Sequence, residues 1–124
     1  MLTKIETTHA PAAIGPYSQA IDTGNMLFLS GQLGIDPASG ELPESFEEQA
    51  KNVMNNIKAI LEAAGSGFDN VVKTTIFLTD LANFAKINEI YGACFPSYKP
   101  ARSCVQVTAL PKGGKIEIEL IAVK

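Results

Sequence analysis

Apolar positions along the chain change period several times, and each change marks an element. Leu2–Glu6 reads as a short first strand, and Pro11-Ala12-Ala13-Ile14-Gly15-Pro16 as an irregular loop, because two prolines remove backbone donors and glycine relaxes the backbone. Tyr17–Asp22 and Met26–Leu33 are strand-like runs about Thr23-Gly24-Asn25, predicting a β-hairpin, with Asp36–Gly40 as the next turn. From Phe46 the spacing becomes helical: Phe46, Ala50, Val53, Met54, Ile57, Ile60, Leu61 and Ala64 share one face, Ser45 with Glu48 has the form of a capping box, and Gly65 supplies a left-handed stop.

Val71–Thr79 returns to strand propensity. Asp80 is placed to cap a second helix through Phe95, with Phe84, Ile87, Asn88, Tyr91 and Phe95 on one face before Pro96 stops it; Asn88 is the polar intruder there. The last third predicts strands over Ser103–Val107 and Lys115–Val123, joined through Leu110–Gly114. In the final strand Ile116, Ile118, Leu120 and Ala122 point one way while Glu117, Glu119, Ile121 and Val123 point the other. The order β-β-β-α-β-α-β-β suggests an α+β sandwich, a mixed sheet with two helices on one side and a bare opposite face that needs a partner. With 124 residues, one domain spanning 1–124 is expected.

Charge narrows the partners. A net charge of −3, with lysines scattered singly, gives no general attraction to nucleic acid or anionic membrane. Cys94 and Cys104 form no CxxC pair, the N-terminus has neither a basic leader nor an apolar h-region, and no apolar run approaches the ~20 residues needed to span a bilayer. A cytoplasmic protein is expected. The lone histidine, His9, lies in an N-terminal segment, so no two-histidine metal site is available; the absence of GxGxxG and of Walker spacing around Lys112-Gly113-Gly114-Lys115 leaves a nucleotide cofactor without support, and that stretch reads as a hairpin turn. No cofactor or metal is expected.

Arg102 is the only arginine and stands at the entrance to an apolar strand. Its planar fork suits a carboxylate ligand, while the plainer alternative is a structural salt bridge. Glu117, near the start of the last strand, is placed either to activate a water beside Arg102 or to serve as an exposed strand residue or as the arginine's partner. Cys104 shares a strand face with Arg102 and reads as a pocket wall rather than a nucleophile, since nothing nearby lowers its pKa. Tyr17 either covers a ligand or packs, and Ser30-Gly31 is either a bulge or a point of close approach.

Several blocks together resemble the RidA/YjgF family of enamine/imine deaminases over the full chain: Ala13-Ile14-Gly15-Pro16-Tyr17-Ser18-Gln19-Ala20, Ser30-Gly31-Gln32, Lys73–Leu78, Pro100-Ala101-Arg102-Ser103 and Lys115–Glu119. The resemblance implies a chorismate-mutase-like fold assembled as a homotrimer, with the sheets lining a central barrel and clefts between subunits. It also implies hydrolysis of 2-imino acids, such as 2-iminopropanoate and 2-iminobutanoate made by PLP-dependent dehydratases, to 2-keto acids and ammonia. Arg102 would then grip the substrate carboxylate and Glu117 would deprotonate the water; Cys104 and Gly31 would offer backbone contacts, and Tyr17, Ser30 and Asn88 would line the cleft. Relatives are also described as ribonucleases or translation inhibitors and as chaperone-like binders, and a non-catalytic carboxylate binder would keep Arg102 without needing Glu117. Thr108 and the short Pro96–Lys99 approach depart from the family pattern at the rim.

Overall fold

The computed structural model describes residues 1–124. Six strands, β1 (Thr3–Ile5), β2 (Ala20–Asp22), β3 (Met26–Leu33), β4 (Val71–Leu78), β5 (Ala101–Gln106) and β6 (Ile116–Val123), form one sheet in the order β1-β2-β3-β6-β4-β5. Only β4 and β5 run parallel; the other neighbours are antiparallel. Two helices, α1 (Phe46–Ala63) and α2 (Phe84–Gly92), complete the mixed α+β architecture. The long helix forms where its spacing predicts. Ser45 Oγ accepts from the Glu48 backbone N–H at 3.1 Å, and Gly65, at φ 75°, turns the chain so that Ser66 N–H reaches back to the Leu61 carbonyl.

The core lies between the sheet and the helices. Ile116, Ile118, Leu120 and Ala122 of β6 are buried at 0–3% exposure, whereas Glu117 and Ile121 are half-buried and Glu119 and Val123 exposed. This alternation is the expected one, and it defines a helix-covered face and a bare face. On the bare face Phe28, Val72, Val105 and Val123 remain more than a third exposed.

Local boundaries differ from the sequence expectation in three places. Residues 17–19 are not strand, because Ser30 and Gln19 divert their hydrogen bonds into loop contacts, so β2 begins at Ala20. Asp80 caps a 3-10 turn over Leu81–Asn83 by accepting from Ala82 N–H, and α2 starts only at Phe84 and stops at Gly92 rather than Phe95. Finally, Leu110–Gly114 is not a hairpin. Because β4 lies between β5 and β6, the stretch is a crossover whose 3-10 turn places Lys112 at φ 60°, the only non-glycine residue at positive φ.

Candidate active site

Arg102 lies on the helix-covered face. It pairs in register with Thr74, which pairs in turn with Leu120, and both neighbours are buried against the helices. Its Nη1 donates to Asn88 Oδ1 at 2.7 Å, and its guanidinium carbon sits 5.4 Å from the Phe84 ring centroid and 5.3 Å from that of Tyr91. All of its contacts are neutral: the three ion pairs of the chain are Lys4–Glu6, Lys86–Glu47 and Lys124–Asp22. The salt-bridge alternative therefore fails within the chain. Asn88, an apolar-face intruder by sequence, earns its place on α2 as this hydrogen-bond acceptor.

Glu117 lies on the opposite face. It pairs with Leu33 of β3 and Phe77 of β4, and its position alternates with the buried Ile116 and Ile118. Arg102 and Glu117 are thus not adjacent in one chain, contrary to the simplest sequence picture, because β4 separates their strands and the pleat sends them to opposite faces. Burial, then the like charge of Glu119 two residues on, pushes the Glu117 carboxyl above its usual range. The register between β3 and β6 slips between Leu29 and Gln32, so Ser30-Gly31 is a bulge. It is also a point of close approach, since a Cβ on Gly31 would collide with the Glu117 carboxylate.

A cleft of about 640 Å³ opens over this carboxylate, with Tyr17, Ser30, Gly31 and Lys112 among its lining residues. Two irregular walls bound it, and both are held by buried amides. Gln19, 3% exposed, accepts from Thr7 N–H at 2.8 Å and donates to the Thr7 carbonyl at 3.1 Å and the Pro11 carbonyl at 2.8 Å. Ser30 Oγ donates to the Ser18 carbonyl at 2.6 Å, tethering the segment that carries Tyr17. On the far wall Asn56, 1% exposed, donates to the carbonyls of Leu33 at 3.1 Å and Ile35 at 2.9 Å. Sequence reading missed these amides, although a glutamine or asparagine inside an otherwise apolar row is itself a signal of a backbone staple.

Cys104 follows Arg102 on the same face and is half-buried against the core. Burial raises its thiol pKa despite the opposing pull of Arg102, which favours a neutral wall residue. His9 is an exposed loop residue, and no group of three or more His, Cys, Asp or Glu side chains is gathered anywhere. The seven predicted residues thus fall into two sets: Tyr17, Ser30, Gly31 and Glu117 at the cleft, and Arg102 with Asn88 and Cys104 across the sheet.

The family model described as endoribonuclease L-PSP matches residues 7–124. The chain belongs to the RidA/YjgF family. Among its relatives, a 2-iminobutanoate/2-iminopropanoate deaminase of Mus musculus is 52% identical over 97% of this chain and 90% of its own length. The crystal structure of RidA from Psychrobacter sp. PAMC 21119 is 52% identical, superposes with a TM-score of 0.96, and covers 98% of this chain and 99% of that one. Escherichia coli TdcF, solved with bound serine, is 49% identical with a TM-score of 0.95 over 98% of each chain. The RidA/YjgF fold accounts for the sheet order and for the helices on a single face, and no helix of the chain is long and apolar enough to cross a membrane.

Proposed function

We propose that this protein is a cytoplasmic, homotrimeric deaminase that hydrolyses 2-imino acids, 2-iminobutanoate and 2-iminopropanoate among them, to 2-keto acids and ammonia. One observation carries the reading: a guanidinium with only neutral partners and a carboxylate with a raised pKa stand on opposite faces of one sheet, each incomplete by itself. Packing the bare face of one copy beside the helix side of another completes the pair. It also covers the exposed Phe28, Val105 and Val123.

In this cleft Arg102 takes the substrate carboxylate through the guanidinium edge that Asn88 leaves free, and Asn88 holds the fork in place. Tyr17, Ser30 and Gly31 wall the imine, with Cys104 and Gly31 offering backbone contacts. The imine carbon is already electrophilic, so orientation and proton transfer suffice. Glu117 removes a proton from water as the water oxygen bonds to that carbon and the C=N π electrons move to nitrogen. The protonated Glu117 returns that proton to nitrogen to give the carbinolamine; it then takes the carbinolamine hydroxyl proton and passes it to nitrogen as the C=O bond forms and the C–N bond breaks, so that keto acid and ammonia leave. A raised carboxyl pKa suits a group that must both take and give this proton. Lys112 is the one basic side chain lining the cleft, and neither a basic stripe nor an aromatic stacking platform supports a ribonuclease or other RNA-binding reading.

The test is complementation. Arg102→Ala and Glu117→Gln subunits are each expected to be inactive in 2-iminobutanoate hydrolysis, measured as ammonia release. When the two are unfolded together at equal amounts and refolded, about a quarter of the clefts regain both residues and roughly that share of activity returns. Sedimentation should give one species near three chain masses. A mixture as dead as its parents contradicts the shared cleft.

A further inference from the structure

Phe84, Asn88 and Tyr91 occupy successive turns of one face of α2, and all three meet the Arg102 guanidinium. Asn88 uses one edge of the fork. The two rings lie 5.4 Å and 5.3 Å from the guanidinium carbon, within the range of cation–π attraction. They are held very differently. Tyr91 is 4% exposed, its hydroxyl is 2.7 Å from Thr74 Oγ1, and its ring packs on Phe95 at 4.8 Å, which in turn packs on Phe68 at 5.3 Å. Thr74 is the register partner of Arg102 across β4 and β5, so the tyrosine is tied to the backbone position beside the arginine it supports. Phe84, by contrast, is 41% exposed, so its contact with the guanidinium lies at the surface.

We infer that Phe84 and Tyr91 are positioning residues for the substrate carboxylate, presenting π faces that orient the Arg102 fork and shed its water while leaving its remaining N–H edge to the ligand. The inference rests on the reading of Arg102 as the carboxylate grip. A guanidinium is weakly hydrated and planar, so it tolerates such surroundings without an acidic partner, and a carboxylate that reaches it meets a preorganised, partly desolvated donor pair. A lysine at position 102 would have neither the planar face nor the fork. Because a carboxylate is gripped alike in substrate and transition state, the rings act on binding rather than on the chemical step.

Phe84 gives the clean test, since an exposed side chain can be changed without opening the core. Phe84→Leu keeps apolar contact but loses the π face; Phe84→Tyr keeps both. For Phe84→Leu, the KM for 2-iminobutanoate and the calorimetric Kd for 2-ketobutanoate are expected to rise together about fivefold, with kcat within about twofold of wild type. Phe84→Tyr should stay within about twofold of wild type in all three quantities. Tyr91→Phe, which retains the ring, should likewise bind nearly as wild type. Unchanged KM and Kd in Phe84→Leu overturns the inference, as does equal impairment of the leucine and tyrosine variants. Arg102→Ala separates the two readings. If it binds 2-ketobutanoate as wild type does, the carboxylate grip itself is wrong; if it loses binding while Phe84→Leu keeps it, the grip stands and the aromatic support falls.

Discussion

The two halves of the candidate site solve opposite electrostatic problems. On the helix side a permanent cation is kept without a counter-charge by an amide oxygen and two aromatic faces, so it stays available to an anionic ligand. On the bare side a carboxylate is kept reactive by the reverse device: burial and the neighbouring Glu119 destabilise its charge, and Gly31 lets the strand pass beneath it. An acidic partner for Arg102, or a basic one for Glu117, would pair the charge within the chain and leave neither group open to a ligand.

The comparison breaks most sharply at its cation. Arg102→Ala should lower kcat/KM for 2-iminobutanoate at least about a hundredfold, roughly 3 kcal/mol, with the circular dichroism of the fold unchanged, and Arg102→Lys should recover little of it. Near-normal turnover would remove Arg102 from the site. On the carboxylate side Glu117→Gln should cut kcat by about a hundredfold while calorimetric affinity for 2-ketobutanoate persists. Equal loss of both would make Glu117 a binding or bracing residue. Gly31→Ala should cost about tenfold or more in kcat, because the added methyl displaces the Glu117 carboxylate from its place over the bulge; a fully active alanine variant would show that the close approach is incidental.

Acidity sharpens the same contrast. A base with a raised pKa loses activity as pH falls through that raised value, so the acid limb of kcat/KM, which reports the free enzyme, should lie above the ordinary carboxylate range, and Glu119→Gln should move it to lower pH by removing the like charge. The stability consequence has a definite sign. Since the folded state holds the Glu117 proton more tightly than the unfolded chain does, ionising it destabilises the fold; that penalty is complete above the folded pKa and absent below the unfolded one. Thermal melts of Glu117→Gln should accordingly lie above wild type near neutrality and converge with it in acid. The smallest effect is expected at Cys104, where Cys104→Ala should keep activity within about threefold, since burial favours the neutral thiol. An inactive but folded variant would restore the thiol as a nucleophile.

Local pattern reached a long way into this protein. The period-two rows of β6, the 3.6-residue face of α1 and the Ser45 and Gly65 signals are properties of neighbouring residues, so the chain declares them directly. Arg102 and Glu117 stood out as candidates too, because a lone arginine and an acidic residue beside apolar strands are visible without coordinates. Their relation was not. Whether β5 lies beside β6 is decided by hydrogen bonding between segments far apart in the chain, and the insertion of β4 between them turns two supposed neighbours into residues on opposite faces. The same holds for the supports. Asn88 and Tyr91 look like a polar lapse and a core aromatic on an amphipathic helix until α2 packs over the start of β5, and Gln19 and Asn56 become staples only when irregular walls come within hydrogen-bonding reach. Sequence by itself settled which residue types and which elements were present, since propensity and periodicity act over a few residues. Tertiary structure alone settled which groups share a surface and what shifts their charge, because strand order, burial and field arise from contacts that no short stretch of chain encodes.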